Sequence, residues 1–377
     1  MPVERGGYVM DLSFLRPLYA RPGPWASVYL DASHDTEDAV DALELRWRAL
    51  RDQLDQQGAD PASVAALGAA VTRHVPRTGE YGLALSAASG EVVLHNYLPA
   101  PPQRDLATVG PLPHAMPLVA QRGEEISWLR VLVSRTGAEI DAVSAGGLPR
   151  QAGVDGPAAH PIRKVKPGAW SQARFQRAAE VSWRRNAGAS AAATAALADQ
   201  IGAEALVVAG DPDARQLLVG QLPRRWQSRT VQTDAGSRAV GADPEPLTEA
   251  TIQAIAAVAA EHTDRALDRY GAQQGRGDGL PAVVDALQRA QVDTLLLVDD
   301  PSSTQRVWIG PEPTQIALDP ADLAVMAVDE PCEVRADAAL LRALAATDAD
   351  LVLVGPGDAD LDGGVGAVLR YSDPVTS

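Results

Sequence analysis

The sequence predicts a three-domain protein of the α/β (α+β) class. Its 377 residues are 46% hydrophobic, and at roughly 150 residues per domain this content supports two or three cores. Hairpin signals dominate the first part of the chain, whereas short apolar strands alternate with helices further on. The predicted domains cover residues 1–125, 126–244 and 245–377, with a linker rich in Gly, Asp and Pro over residues 236–246.

The first domain begins with a predicted strand at residues 25–30 and a helix over residues 36–57. Apolar residues recur in this helix at steps of three and four, the period of one helix face: Val40, Leu43, Trp47, Leu50 and Leu54. A second helix is predicted at residues 61–71, followed by a hairpin of strands 81–86 and 91–97. The proline-rich residues 99–117 are predicted to form a surface loop.

The second domain opens with a predicted hairpin of strands 127–133 and 138–143. An irregular section to residue 168 precedes a helix over 172–201, and a strand at 205–210, a helix at 211–219 and a strand at 230–232 follow. The third domain has predicted helices at 247–270, 280–290 and 336–346 and strands at 293–298 and 350–354. The section between residues 298 and 336 is predicted to be rich in loops, and a glycine-rich segment closes the chain.

Composition argues against several classes of protein. Lys and Arg number 33 against 49 Asp and Glu, and the formal net charge of −16 argues against coating of nucleic acid by general positive charge. A single cysteine, Cys332, excludes intramolecular disulfides and cysteine-based zinc sites. The chain lacks the apolar run of a signal peptide or membrane span, so we expect a soluble cytoplasmic protein, with no metal or other cofactor.

Positive charge is concentrated in one segment, residues 163–185. It has a net charge of +6, so the rest of the chain carries −22. Its basic residues are Arg163, Lys164, Lys166, Arg174, Arg177, Arg184 and Arg185. A basic segment on an acidic body is typical of a specific anionic partner such as a phosphate backbone, and Trp170 is suited to stack on a base. The alternative is a solvated arginine face, with Trp170 and Phe175 anchoring the helix to a core.

Three other features are weaker candidates. Asp31, His34 and Asp35 follow the first strand and suit an acid/base or metal cluster, but Asp and Ser at such a position also cap helices. Residues 207–211 stand at the carboxyl end of a strand, where α/β proteins bind ligands or simply turn into a helix. The glycine-rich residues 275–279 follow a helix and lack the Gly-Lys-Ser/Thr ending of a phosphate loop.

Several segments carry recognisable motifs. They are Leu267-Asp-Arg-Tyr270 with residues 278–298, the terminal Gly363-Gly-Val-Gly-Ala-Val-Leu-Arg-Tyr371, residues 168–186, and Ala26-Ser-Val-Tyr-Leu-Asp-Ala-Ser-His-Asp35. The first two resemble the start and the closing strand of the C-terminal domain of archaeal and eukaryotic class-I release factors and Pelota. The third falls where their middle domain carries a Gly-Gly-Gln loop and an arginine-rich helix. Together the segments resemble the bacterial and archaeal release-factor-like family in its actinobacterial branch, which is related to the Vms/ANKZF peptidyl-tRNA hydrolases and the hibernation factor Balon.

This resemblance implies a fold and a site. The fold is a three-domain release-factor-like chain with an RNase H-like middle domain and a small ribosomal-protein-like α/β C-terminal domain. In the family, a glutamine after two glycines reaches the peptidyl-transferase centre, where its backbone amide stabilises the oxyanion formed when water attacks peptidyl-tRNA. By resemblance Gln172 is that catalytic residue, with Gln176 as a second candidate, and Gly168, Trp170 and Ser171 form its loop. Trp170 and Ser171 stand where the family has glycines, and the Asn-Ile-Lys-Ser motif for stop codons is absent from the sequence.

The implied function is that of a ribosome-binding translation factor. It would place residues 168–172 in the A site and act in ribosome hibernation or rescue under stress. A peptidyl-tRNA hydrolase that uses Gln172 to orient water is one alternative, and a scaffold that keeps the fold without ribosome contact is another. The expected partners are ribosomal RNA, P-site tRNA and a translational GTPase such as elongation factor Tu, and no membrane partner is expected.

Overall fold

The computed structural model describes residues 8–34, 38–123, 126–144, 150–155, 169–236, 243–273, 277–300, 302–355 and 357–371. The chain divides into two compact units, one of residues 1–124 with 262–377 and one of residues 125–261. The predicted boundary at 125/126 lies next to the first division, whereas the predicted boundary at 244/245 precedes the second. The mixed α/β class is confirmed, since helices and four sheets are combined in the described residues.

The N-terminal part of the first unit is built on an antiparallel sheet. Its elements are β1 (Tyr8–Met10), α1 (Arg16–Tyr19), β2 (Trp25–Asp31), α2 (Ala39–Gln56), α3 (Pro61–Arg73), β3 (Gly82–Ala88), β4 (Glu91–Leu98), β5 (Leu106–Gly110) and α4 (Met116–Arg122). The sheet has the order β4–β3–β2–β5, and the predicted hairpin is confirmed as β3–β4. The predicted loop over 99–117 was wrong, because β5 pairs with β2 there and α4 begins before residue 117.

Local sequence explains where α3 begins. Asp60 caps α3, since its carboxylate accepts hydrogen bonds from the N–H groups of Ala62 and Ser63, and Pro61 occupies the first helical position. Helices α2 and α3 then bury their apolar faces on one side of the sheet, with Leu54 and Leu67 fully buried. This packing leaves the edge strand β4 beside the end of α3.

The second unit is built on a mixed five-stranded sheet. Its elements are β6 (Trp128–Ser134), β7 (Gly137–Val143), β8 (Arg150–Asp155), α5 (Ala169–Ile201), β9 (Ala205–Gly210), α6 (Pro212–Gln221), α7 (Arg224–Gln227) and β10 (Thr230–Gln232). The strand order is β10–β9–β6–β7–β8. Strands β10, β9 and β6 are parallel, β7 is antiparallel to β6, and β8 is antiparallel to β7. The section predicted to be irregular contains β8, which takes its hydrogen bonds from β7.

Successive side chains of β9 point to opposite faces of this sheet, and each face is covered by a helix. Leu206 and Val208 belong to the core under α5 and α6, whereas Val207 and Ala209 pack with residues of α8 (Glu245–Ala272). The strand ends at Gly210 with φ +108°, and a Cβ there would lie 2.0 Å from the carbonyl oxygen of Val133. Only glycine allows β9 to end this close to β6.

The C-terminal part completes the first unit. After α8 come β11 (Gly277–Asp278), α9 (Gly279–Gln288), β12 (Val292–Val298), β13 (Arg306–Ile309), β14 (Ile316–Ala317), α10 (Pro320–Val325), β15 (Cys332–Arg335), α11 (Ala336–Thr347), β16 (Asp350–Val354) and β17 (Val365–Leu369). The main sheet has the order β1–β16–β12–β17–β11, so the N-terminal strand β1 pairs with β16. The section predicted to be rich in loops holds the small sheet β14–β13–β15, whose strands are four residues or shorter.

One hydrophobic core explains why the two ends of the chain form a single unit. Trp25 and Leu118 from the N-terminal part and Leu340 and Leu351 from the C-terminal part belong to the same buried cluster. The predicted first and third domains are therefore parts of one compact unit. Within the described ranges, no helix combines the length and apolar character needed to cross a bilayer.

Candidate nucleic-acid interface

Part of the basic segment predicted from the sequence lies on the long helix α5. This helix starts at Ala169, three residues before the predicted start at Gln172. Trp170, Ser171 and Gln172 therefore belong to its first turn, which corrects the expectation that they form a loop. At 1.5 Å per residue the 33 residues of α5 extend about 50 Å.

The structure describes the predicted site residues to different degrees. Arg163, Lys164, Lys166 and Gly168 lie outside the described residues. The backbone of Arg174, Gln176 and Arg177 is helical, as it is for Gln172. Arg184 and Arg185 are the predicted RNA contacts whose side chains the structure describes, and both are exposed.

The period of α5 sorts the predicted residues onto two faces. With 3.6 residues per turn, positions 174, 177, 184 and 185 fall within an arc of about 100°. Positions 172 and 176 fall on the opposite side, in line with positions 186, 190 and 194. The four arginines therefore share one helix face, which we call the arginine face, and neither glutamine lies on it.

One side of α5 packs on the sheet from Asn186 onward. From Asn186 onward the buried residues are Asn186, Ala187, Ser190, Ala191, Thr194, Ala195 and Ala198. Most of them are alanines, which allow the helix to approach the strands closely. Two buried hydroxyls, Ser190 Oγ and Thr194 Oγ1, have no hydrogen-bond partner in the described part of the chain.

Arg135 ties the middle of α5 to the sheet. It lies in the β6–β7 turn, and its guanidinium carbon is 4.5 Å from the centre of the Trp183 ring. Its Nε is 3.1 Å from Asp211 Oδ2, and a terminal nitrogen is 3.0 Å from Asp213 Oδ2. Asn186 Nδ2 donates to the Arg135 carbonyl at 3.2 Å. The β6–β7 turn therefore holds both Trp183, directly before the two arginines, and Asn186, directly after them.

A second anchor holds the C-terminal end of α5. Asp199 accepts hydrogen bonds from Arg225 at 2.6 and 3.2 Å and from the indole N–H of Trp226 at 3.0 Å. The hydrogen bond from Arg225 is the main reason that the pKa of Asp199 lies below its usual value. With both anchors in place, residues 183–201 of α5 are fixed on the second unit.

The arginines of this unit differ in whether their charge is compensated. Arg130 pairs with Asp141 at 2.7 Å, Arg215 with Asp234 at 2.5 Å and Arg225 with Asp199 at 2.6 Å. Arg184 and Arg185 make no ion pair among the residues that the structure describes. Two adjacent cations on an exposed helix face, with no ion pair to a described side chain, are suited to bind an anion.

The other candidates from the sequence have structural roles. Asp31 pairs with Arg46 at 2.8 Å and accepts the N–H of Ser33 at 2.9 Å, and His34 bridges to Gly79 through the backbone. Asp35 lies outside the described residues. In the ranges that the structure covers, no group of three or more His, Cys, Asp or Glu is arranged to hold a metal ion. At the end of β9, Asp211 caps α6 and pairs with Arg135, so this turn is a helix start.

Comparison with known proteins gives the same family that the motifs resemble. Residues 127–276 match the model of the bacterial archaeo-eukaryotic release factor family 2. Protein Rv2629 of Mycobacterium tuberculosis (strain ATCC 25618 / H37Rv) is 32% identical over 366 residues, which cover 95% of this chain and 96% of that protein. The chain belongs to the bacterial archaeo-eukaryotic release factor family. The matched region includes the whole of α5 and the sheet on which it packs.

Two solved structures of Pelota are also similar to this release-factor family member. Archaeoglobus fulgidus Pelota is 14% identical, with 99% of this chain and 97% of that chain covered and a TM-score of 0.35. A ribosome-bound archaeal Pelota is 13% identical, with 96% and 94% covered and a TM-score of 0.34.

Proposed function

We propose that this protein is a ribosome-binding translation factor that contacts ribosomal RNA through the arginine face of α5. The observation that carries the proposal is the placement of four arginines on one side of a single helix, in a chain that belongs to a release-factor family. Ribosomal RNA presents a dense array of phosphates, which arginines bind through charge-assisted and often bidentate hydrogen bonds. The protein would act in the cytoplasm, where ribosomes work.

The distribution of charge favours one binding pose. The segment 163–185 carries +6 and the rest of the chain −22, so RNA repels most of the surface. Binding then depends on the arginine face, and the attachment of residues 183–201 through Arg135 and Asp199 lowers the entropy cost of ordering Arg184 and Arg185. A protein of this kind binds one RNA site and does not coat RNA at random.

Occupation of the A site, in hibernation or rescue, is the form of this function that we favour over catalysis. Trp170 and Ser171 stand before Gln172 where the family has glycines, and all three residues are helical. Side chains at these positions and a helical backbone restrict the close approach that glycines permit. Peptidyl-tRNA hydrolysis through Gln172, or through Gln176 one turn later, is the alternative.

Stalled ribosome–nascent-chain complexes separate the two forms. The protein is added to complexes that carry a labelled peptidyl-tRNA, and both co-sedimentation and peptide release are measured. Binding without release supports occupation of the A site. Release that is lost in Gln172→Ala or Gln176→Ala, and kept in the exposed control Gln253→Ala on α8, supports the hydrolase. Failure to co-sediment with ribosomes at any moderate salt concentration contradicts both A-site occupation and hydrolysis. The remaining alternative is then a scaffold that does not contact the ribosome.

The same complexes test the proposed additional partners. P-site tRNA is tested by comparing ribosomes with and without it in the co-sedimentation assay. A translational GTPase such as elongation factor Tu is tested by adding it in its GTP-bound and GDP-bound forms. Tighter binding of the protein in the presence of either component supports that partner.

A further inference from the structure

A cluster of aromatic rings with one arginine covers the edge of the N-terminal sheet. His95 and Tyr97 lie on the edge strand β4, with ring centres 5.9 Å apart. Tyr81 lies 5.8 Å from Tyr97 and 6.3 Å from His74. The guanidinium carbon of Arg77 is 3.5 Å from the centre of the Tyr97 ring. We call these five residues the ring cluster, and the proposed function makes no use of them.

Two tyrosine hydroxyls hold the segment that carries Arg77. Tyr97 donates to the Val75 carbonyl at 3.2 Å, and the Arg77 backbone N–H donates to the Tyr81 hydroxyl at 3.1 Å. His74 Nδ1 lies 3.1 Å from the Val71 carbonyl oxygen, and its Nε2 lies 3.0 Å from the Tyr81 hydroxyl. The position of Arg77 is therefore set before any ligand arrives, which lowers the entropy cost of binding.

The ring cluster presents the Arg77 cation to solvent. Arg77 and His95 are exposed, and Tyr97 is half-buried beneath the Arg77 guanidinium. In the same unit, Arg21 pairs with Glu91 at 2.5 Å and Arg46 with Asp31 at 2.8 Å. Arg77 makes no ion pair with any residue that the structure describes. One face of its guanidinium covers Tyr97, and the guanidinium N–H groups have no hydrogen-bond partner in the described part of the chain, so the opposite face and these donors are suited to a ligand.

We propose that the ring cluster binds a nucleotide, with a base stacked on the outer face of Arg77 or on His95 and its phosphate bound by guanidinium N–H groups. Bases stack on arginine planes as well as on aromatic rings, and guanidinium N–H groups match phosphate oxygens. An acidic peptide would use the charge of Arg77 but not the flat surfaces beside it. A nucleotide within single-stranded RNA and a free nucleotide supply the same chemistry. The site lies outside α5 and does not depend on ribosome binding.

Fluorescence anisotropy with the full chain and a labelled ten-nucleotide single-stranded RNA tests this site. Because stacking of a base is worth about 1–3 kcal/mol, we expect Arg77→Ala to weaken binding by at least about fivefold. Arg104→Ala removes an exposed arginine of the same unit and is the matched control, with an expected loss below twofold. Unlabelled AMP as a competitor distinguishes a free nucleotide from a nucleotide within an RNA strand. If micromolar AMP displaces the labelled RNA, the site binds free nucleotides. If the labelled RNA stays bound, the site binds an RNA strand.

The proposal is overturned if Arg77→Ala binds the RNA with the affinity of the wild-type protein, or if Arg77→Ala and Arg104→Ala lose the same affinity. It is also overturned if an acidic peptide displaces the labelled RNA as well as an unlabelled nucleotide ligand does. The double variant Arg184→Ala/Arg185→Ala is measured in parallel. A loss confined to that variant overturns the ring-cluster site and leaves the proposed function intact, because the assay contains no ribosomes. His95→Ala changes an exposed side chain and provides a second test if Arg77→Ala lowers the unfolding temperature.

Discussion

The guanidinium of Arg135 stacks on the indole ring of Trp183, with 4.5 Å between the guanidinium carbon and the ring centre. The same group pairs with Asp211 and Asp213, so one arginine in the β6–β7 turn connects α5 to the start of α6. Trp183 directly precedes Arg184 and Arg185. The stack of Arg135 on Trp183 therefore fixes the direction of α5, relative to the sheet, at the position of Arg184 and Arg185.

Replacing Arg135 should loosen the middle of α5. Arg135→Ala removes the stack and both ion pairs, and we expect a loss of about 1–2 kcal/mol in the free energy of unfolding. Amide hydrogen exchange should become faster around residues 183–190. Arg130→Ala breaks the ion pair with Asp141 on the same sheet and is the control, with unchanged exchange in α5. Equal effects of the two variants on α5 would show that Arg135 has no special role in holding the helix.

Thr194 offers a change that stabilises the protein. Its side chain is fully buried and its hydroxyl has no partner in the described residues, so Thr194→Val removes an unpaired polar group while keeping the shape. We expect the free energy of unfolding to rise by about 1 kcal/mol in urea titrations. The control is Thr251→Val, because the Thr251 hydroxyl donates to the Leu247 carbonyl at 2.7 Å. If both variants lose the same stability, the Thr194 hydroxyl has a partner.

Gly366 and Tyr270 lie in two motifs that resemble release factors, and they are in direct contact. A Cβ at position 366 would lie 2.7 Å from Tyr270 Cε2, and Tyr270 is fixed by a hydrogen bond of 2.7 Å to Asp278. We expect Gly366→Ala to destabilise the first unit by about 1–3 kcal/mol in thermal or urea unfolding. Gly271→Ala adds a Cβ in open space on α8 and should be neutral or stabilising. A neutral Gly366→Ala would contradict this packing.

His114 should make stability depend on pH. Burial lowers its pKa below the ordinary value of 6.5, with Asp337 and Arg335 acting in opposite directions, and its Nδ1 is buried without a partner in the described residues. The unfolded protein therefore binds more protons, so the free energy of unfolding falls as pH drops through 6.5. His114→Phe keeps a ring beside Tyr29 and should lose less stability between pH 7.5 and 5.5 than the wild-type protein. Identical pH profiles of the two proteins would show that His114 does not contribute to the pH dependence of the free energy of unfolding.

Elements with strong local patterns could be predicted closely from the sequence. The predicted strands at 230–232 and 350–354 match β10 and β16, and the predicted helix at 61–71 lies within α3. Strands β5 and β13 could not be predicted, because they are short and pair with β2 and β15, which are distant in the sequence. Local residues alone do not determine such pairings.

The candidate site could be predicted only in part, for a similar reason. Counting charges identified the arginines, and the helix predicted over residues 172–201 already placed four of them on one element. Which side of that helix packs on the sheet became evident only in the structure. The stack of Arg135 on Trp183 joins a turn to a helix far along the chain, and no local pattern indicates it. Trp183 is an aromatic residue directly before two arginines, which is the one sequence signal that pointed to it.

Ribosome affinity as a function of salt concentration is the most direct test of the central claim, that the arginine face of α5 binds ribosomal RNA. We expect binding at low salt that weakens steeply as salt rises. We also expect a log–log slope that is smaller by about 2 in Arg184→Ala/Arg185→Ala. Arg224→Ala/Arg229→Ala, which removes two exposed arginines at and just after α7, should keep the wild-type slope. A flat salt response, or equal slopes for the two double variants, would contradict the account.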